Sequence, residues 1–307
     1  MLETLLTTGF AYHATESERL ARELEAETAA ARATPGRWVQ FLRIATHTLG
    51  EHLSDWPRAA RLGDAVLAGQ TPSPETARAW AHLSIARLLA GDAAGAAQAE
   101  LAWLAAAGDD FRAAALELKF LLVAALVGDG RAGAAAPLYA AALDLARGLG
   151  DAAPARAIAV ASNNLASDLL EAPARTPEEV AVMRQAADAA HAFWRQCGTW
   201  ENEERALYLR ALVANALGEP DAALAHARAA LALIAAHEPQ PIDEAFLHLA
   251  AAHAHALVGD AQARDAELAA SDALAATWDD AGLIAWRAEE RARMFPDRPP
   301  RASAAAA

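Results

Sequence analysis

Four breaks with one grammar recur along this 307-residue chain: Leu-Leu-Ala-Gly-Asp at 88–92, Leu-Val-Gly-Asp-Gly at 126–130, Ala-Leu-Gly-Glu-Pro at 216–220 and Leu-Val-Gly-Asp at 257–260. Each follows a stretch in which apolar residues return every three or four positions, the period of a helix face. Glycine accepts the left-handed conformation just past a helix end, and the acidic residue after it suits the exposed N–H donors of the next helix. Each break therefore reads as the turn of a helical hairpin. Gly91 to Gly130 is 39 residues, Gly218 to Gly259 is 41, and Gly130 to Gly218 is 88, or two further units. A period of that size predicts stacked helical pairs.

Composition agrees. Alanine supplies 91 residues, about 30% of the chain, while aromatics are only 6%. Alanine is the best helix former and fits poorly in strands, so an all-α chain is expected, its core made by close approach of backbones. The formal charge of −14 argues against a nucleic-acid groove, which needs clustered cations facing phosphates. Lys119 is the one lysine beside 25 arginines, and these arginines are scattered. Cys197 has no partner for an internal disulfide, as in a cytoplasmic protein, and is read as a small buried hydrophobe. Met1 to Phe10 lacks a basic leader, and no uncharged apolar run approaches the length of a membrane span, so neither secretion nor membrane insertion is expected.

The segment from Ala206 to Leu231 carries more than periodicity. Ala211 is a small residue midway along a first helix, Gly218 marks the turn, and Ala223 and Ala230 are spaced alanines on a second helix. Gly130, Ala135 and Ala142 repeat the pattern, as do Ser84, Gly91 and Ala96. In these residues the sequence resembles the tetratricopeptide repeat (TPR) family over roughly residues 37 to 276, with degenerate first and last units. In the first, Ser54-Asp55-Trp56 stands for the glycine turn and His47 for the small residue; in the last, Arg264 and Ser271 replace the alanines.

The resemblance implies a single domain over 1–297, a right-handed solenoid of antiparallel hairpins with about fourteen helices, in a protein of bacterial type. A leading helix is expected at 16–32, hairpins at 37–69, 74–107, 110–149, 152–197, 199–237 and 241–276, and a closing helix at 279–294. Residues 298–307 read as a disordered tail, and 171–177 as the least regular turn.

In such a family the first helices line a concave binding side. Aligning the hairpins on their turns places there Phe41, Ile44, Thr48, Glu51 and His52, then Arg78, Ala81, Ile85 and Leu88, then Glu117, Phe120, Ala124 and Val127. Asn163 and Ser167 follow, then Arg205, Tyr208, Leu212 and Asn215, and finally Phe246, Leu249 and His253. The candidate ligand or peptide contacts are Phe120, Asn163, Ser167, Arg205, Tyr208, Leu212, Asn215, Phe246 and His253. Aromatic anchors among amides and a few charges suit a protein or peptide segment, or a small apolar ligand. The expected function is thus a non-catalytic binding or scaffold protein, monomeric or weakly dimeric. A small-molecule sensor and an atypical enzyme or metalloprotein are the alternatives.

No catalytic residue or cofactor is assigned, since the sequence holds no Gly-rich phosphate loop, His-Glu-x-x-His run or nucleophile elbow. No metal ligand is assigned either. Glu244, His248 and His255 share a helix stripe, and His47, Glu51 and His52 form a second group, but each needs further ligands from other helices. The eight tryptophans are expected to fill gaps that alanine leaves.

Overall fold

The structure, a computed structural model, describes residues 1–150 and 153–295. The expected tail at 298–307 and residue 152, the expected start of the fourth hairpin, lie outside these residues. Among the described residues every regular element is helical. The N-terminal part holds α1 (Leu2–Thr8), α2 (Ser17–Ala26) and α3 (Thr28–Arg32). The hairpins follow as α4 (Trp38–Ala45) with α5 (Trp56–Leu67), α6 (Arg78–Leu89) with α7 (Ala93–Ala107), and α8 (Phe111–Gly128) with α9 (Ala132–Leu149). Next come α10 (Ala155–Glu171), α11 (Pro177–Cys197), α12 (Trp200–Ala216) with α13 (Pro220–Ala236), α14 (Pro241–Leu257) with α15 (Ala261–Ala275), and α16 (Ala281–Met294).

Packing divides the chain into two compact units. The first comprises Met1–Ala161 with Ala174–Val182, the second Ser162–Pro173 with the described residues from Met183 onward. The chain changes units within α10, within the irregular turn at 171–177 and within α11.

The hairpin chemistry is as the punctuation predicts. Gly91, Gly130, Gly218 and Gly259 all have positive φ, between 70° and 90°. Asp92 and Asp260 cap the following helices by accepting from Gly95 N and Ala263 N. In the degenerate first hairpin Ser54 takes the left-handed conformation itself, at φ 52°, and Asp55 caps α5 through Arg58 N. The small residues sit where backbones approach: Ala96, Ala135, Ala142, Ala223 and Ala230 are all buried. The hydroxyls at such positions bond across their hairpins, Ser84 Oγ to Ala96 O at 3.0 Å and Ser271 Oγ to Ala245 O at 2.7 Å.

Three features of the first unit depart from expectation. Residues 2–11 fold, as α1 and a 3₁₀ turn at Gly9–Ala11, and the leading helix resets at Glu27 into α2 and α3. The first helix of the first hairpin widens after Ala45 into a π-helical turn over Thr46–His52. Gly50 makes that turn compatible with the core, because a Cβ there would lie 2.3 to 2.6 Å from the Trp56 ring. The Trp56 indole consequently packs directly on the backbone of the widened turn.

Tryptophans fill the spaces between alanines, as expected, for Trp38, Trp56, Trp80, Trp103 and Trp194, all buried. The indole N–H groups of Trp38 and Trp103 donate to Ala31 O and Ala114 O at 3.0 Å. Trp286 departs from this role and is half exposed. Cys197 is exposed as well, contrary to its reading as a buried hydrophobe, with its thiol directed at Phe193 O.

Candidate binding surface

Residues assigned to one side by the hairpin alignment meet across consecutive first helices. In the first unit Arg78 on α6 pairs with Glu117 on α8. In the second, Arg205 on α12 pairs with Asp243 on α14 at 3.2 Å, and the rings of Tyr208 and Phe246 meet edge-to-face at 6.4 Å. These contacts put the first helices side by side, each presenting the same stripe to its neighbour.

Exposure separates the stripe into core and surface. Phe41, Ile44 and Thr48 are fully buried, because α1 and α2 lie against α4 and its π-helical extension. Ala81 and Ile85 are buried on α6. Phe120 is buried too and stands edge-on to Tyr139 at 5.7 Å, so it anchors the α8–α9 hairpin from within. Asn215 is buried and donates to Ala250 O at 2.8 Å. Phe120 and Asn215 thus lie beneath the surface to which the alignment assigned them. Leu249 and Phe246 are buried with Met294, against half-buried Tyr208, Leu212, Trp278 and Leu283.

What covers this face is α16. Trp286 packs on Phe246 with ring centroids 4.4 Å apart and planes tilted by 38°, and Phe295 lies 5.9 Å from the His253 ring. The closing helix therefore does what a further first helix would do, covering the apolar stripe of α14. Arg287 ties it down through Ser271 Oγ at 2.9 Å and Asp272 at 2.6 Å. Burial pushes the Tyr208 hydroxyl pKa up, with Glu290 of α16 adding to the effect, and lowers that of His253.

Part of this face is left open. Trp286 is 50% exposed and Ile242, one turn before Phe246 on α14, is 41% exposed. Arg205 on α12 is exposed, and Asn163 and Ser167 on α10 are half-buried. Next to Arg205 in the chain, Glu204 is 1% exposed and has no hydrogen-bond partner among the described residues for either carboxylate oxygen. Burial raises its pKa from 4.5 to about 8; Asp243 adds to the rise and Arg205 opposes it. Glu204 is a polar group that sequence periodicity gave no reason to single out, since it falls one position from the assigned stripe.

The stripe of Glu244, His248 and His255 does not converge. His248 Nδ1 pairs with Glu267 of α15 at 2.6 Å, whereas Glu244 accepts from Gln240 N at the start of its own helix. A cleft of about 620 Å³ lies between α15 and α16, lined by Arg264, Asp265, Leu268, Arg287, Arg291 and Phe295. Asp272 and Asp265 already neutralise its arginines.

No protein-family model matches this sequence, and no curated protein matches it. A solved structure that is similar is the crystal structure of BtubC (BKLC) from P. vanneervenii, at 19% identity and a TM-score of 0.45, covering 92% of this chain and 97% of that one. A likeness so distant carries no functional argument. The all-α hairpin architecture rests on the helices and turns described above. Among the described residues no helix is long and apolar enough to cross a membrane.

Proposed function

We propose that this chain is a non-catalytic binding protein that engages a segment of another protein on the face formed by α12, α14 and α16. The reading is supported chiefly by one observation: Trp286, packed against the buried Phe246 ring, leaves half its surface in solvent, and Ile242, one turn before Phe246 on α14, is exposed as well. A large aromatic held rigid by a buried ring loses little freedom on binding, which is the character of an interface anchor. Arg205 and Asp243 at the edge supply polar groups that fix orientation. The net charge of −14 favours a partner segment with positive charge, which speeds encounter more than it adds affinity.

Selection from a displayed peptide library tests this. Wild-type protein is expected to enrich segments carrying an apolar anchor with nearby arginine or lysine, and Trp286→Ala with Ile242→Ser is expected to lose that enrichment. Identical enrichment by the double variant would exclude this face.

A further inference from the structure

His13, between α1 and α2, reaches the π-helical turn that carries His47 and His52. One nitrogen from each of the three rings lies within 4.8 Å of the others. The ring centroids are 4.7 to 4.8 Å apart pairwise, so the imidazoles surround a common point. The turn itself creates half of this arrangement. In an α-helix, residues five apart are about 140° from one another around the axis; a π-helical turn closes i to i+5 and brings them into line. His47 and His52 are five apart, and their Nε2 atoms stand 3.3 Å from each other.

The Nδ1 atoms of His47 and His13 are engaged in a way that leaves their Nε2 atoms for the cluster. His47 Nδ1 is 2.6 Å from Glu51 Oε2, and His13 Nδ1 is 2.7 Å from the carbonyl oxygen of Phe10. Both partners are acceptors, so each Nδ1 carries the proton and each Nε2 presents a lone pair. Glu51 is positioned from outside the turn: it rests on Gly128 at the end of α8, where a Cβ would lie 2.7 Å from Oε2. Phe10 is held by the Arg43 guanidinium over its ring at 5.4 Å. With one N–H available among the three facing nitrogens, a single hydrogen bond between His52 and His47 leaves the lone pair of His13 unused.

We propose that His13, His47 and His52 bind a late first-row divalent metal ion, with zinc as the reference ion, through their Nε2 atoms and with one coordination position left to water. Zinc bound to imidazole at about 2.0 to 2.1 Å in tetrahedral geometry sets neighbouring nitrogens about 3.3 to 3.4 Å apart. The His47–His52 separation already has that value. The wider separations close by rotation of His52, which is exposed, and of half-buried His13. Three neutral imidazoles with a carboxylate behind one of them suit zinc, cobalt or nickel better than magnesium or calcium, which prefer oxygen ligands. Bound metal would join the segment after α1 to the π-helical turn, and through Glu51 to α8.

Calorimetric titration of chelator-treated full-length protein with Zn²⁺ tests the proposal, alongside the visible spectrum of the Co²⁺-loaded protein. The expected result is one ion per chain and the intense absorption of four-coordinate cobalt. His13→Ala, His47→Ala and His52→Ala should each weaken Zn²⁺ binding at least about 10-fold, and Glu51→Gln by about 10- to 100-fold. Gly128→Ala should weaken it too, by displacing Glu51. His248→Ala, in the second unit, should leave it unchanged. Circular dichroism confirms folding of each variant, and His52→Ala, which removes an exposed side chain, is the one least able to disturb it. Zn²⁺ affinity equal in wild-type and His52→Ala protein, or equal in wild-type and the triple histidine variant, would overturn the assignment.

Discussion

Asn215 Nδ2 donates to the carbonyl oxygen of Ala250 at 2.8 Å, tying α12 to α14 inside the second unit. Both residues are buried, so water does not compete for the bond. Asn215→Ala removes the donor and leaves a small void, and is expected to lower the unfolding free energy by about 1 to 3 kcal/mol. Urea titration followed by circular dichroism measures it; an unchanged midpoint would show that the bond contributes nothing.

Ala223 lies fully buried between Ala214 of α12 and Ala254 of α14. A larger side chain there must push helices apart. Ala223→Leu is expected to destabilise by about 1 to 3 kcal/mol, visible as a lower thermal midpoint. A midpoint equal to that of wild type would mean that the close helix approach is not limiting.

Glu204 gives the second unit a pH dependence of definite sign. Its pKa is raised by burial from 4.5 to about 8, so the folded chain keeps a proton that the unfolded chain releases. Stability therefore falls as pH rises through that window and levels off above it. Glu204→Gln keeps the shape, cannot ionise, and should remove this part of the fall. Urea midpoints at about pH 5 and about pH 9 for both proteins check it, and an equal change in the two would contradict the assignment.

His82 in the first unit acts in the opposite direction. Burial is the main cause, and Arg78 and Arg43 add to it, in lowering the pKa from 6.5 to about 3. Below about 6.5 the unfolded chain takes up a proton that the folded chain refuses until about 3, so stability is lost as pH falls. His82→Gln, which retains a polar group near Thr46, should flatten this acid limb. Acid titration of both proteins at fixed urea would show it, and parallel curves would count against it.

Much of the fold was legible because its turns are made by backbone chemistry that leaves a mark in the sequence. Positive φ at Gly91, Gly130, Gly218 and Gly259 is a property of those residues, and the buried Ala96, Ala135, Ala142, Ala223 and Ala230 follow from the spacing around them. The surface was only half legible. Periodicity placed Tyr208, Phe246 and His253 on one side, but whether that side meets water depends on α16. Phe120 and Asn215 read as surface residues and are core, because Phe120 packs on Tyr139 within its own hairpin and Asn215 bonds to Ala250 of α14. The histidine cluster was harder still. His47 and His52 would diverge on an ordinary helix, the widening over Thr46–His52 has no strong propensity signal, and His13 joins them through tertiary packing across 34 residues of chain.

The most direct test of the binding role is the dissociation constant of a library-selected peptide, measured for wild-type protein and for Trp286→Ala. If half-exposed Trp286 on Phe246 is the anchor, the constant rises at least about 10-fold, the loss of more than about 1.4 kcal/mol that marks an anchoring side chain, while circular dichroism stays the same. An unchanged constant in a folded variant would contradict binding on this face.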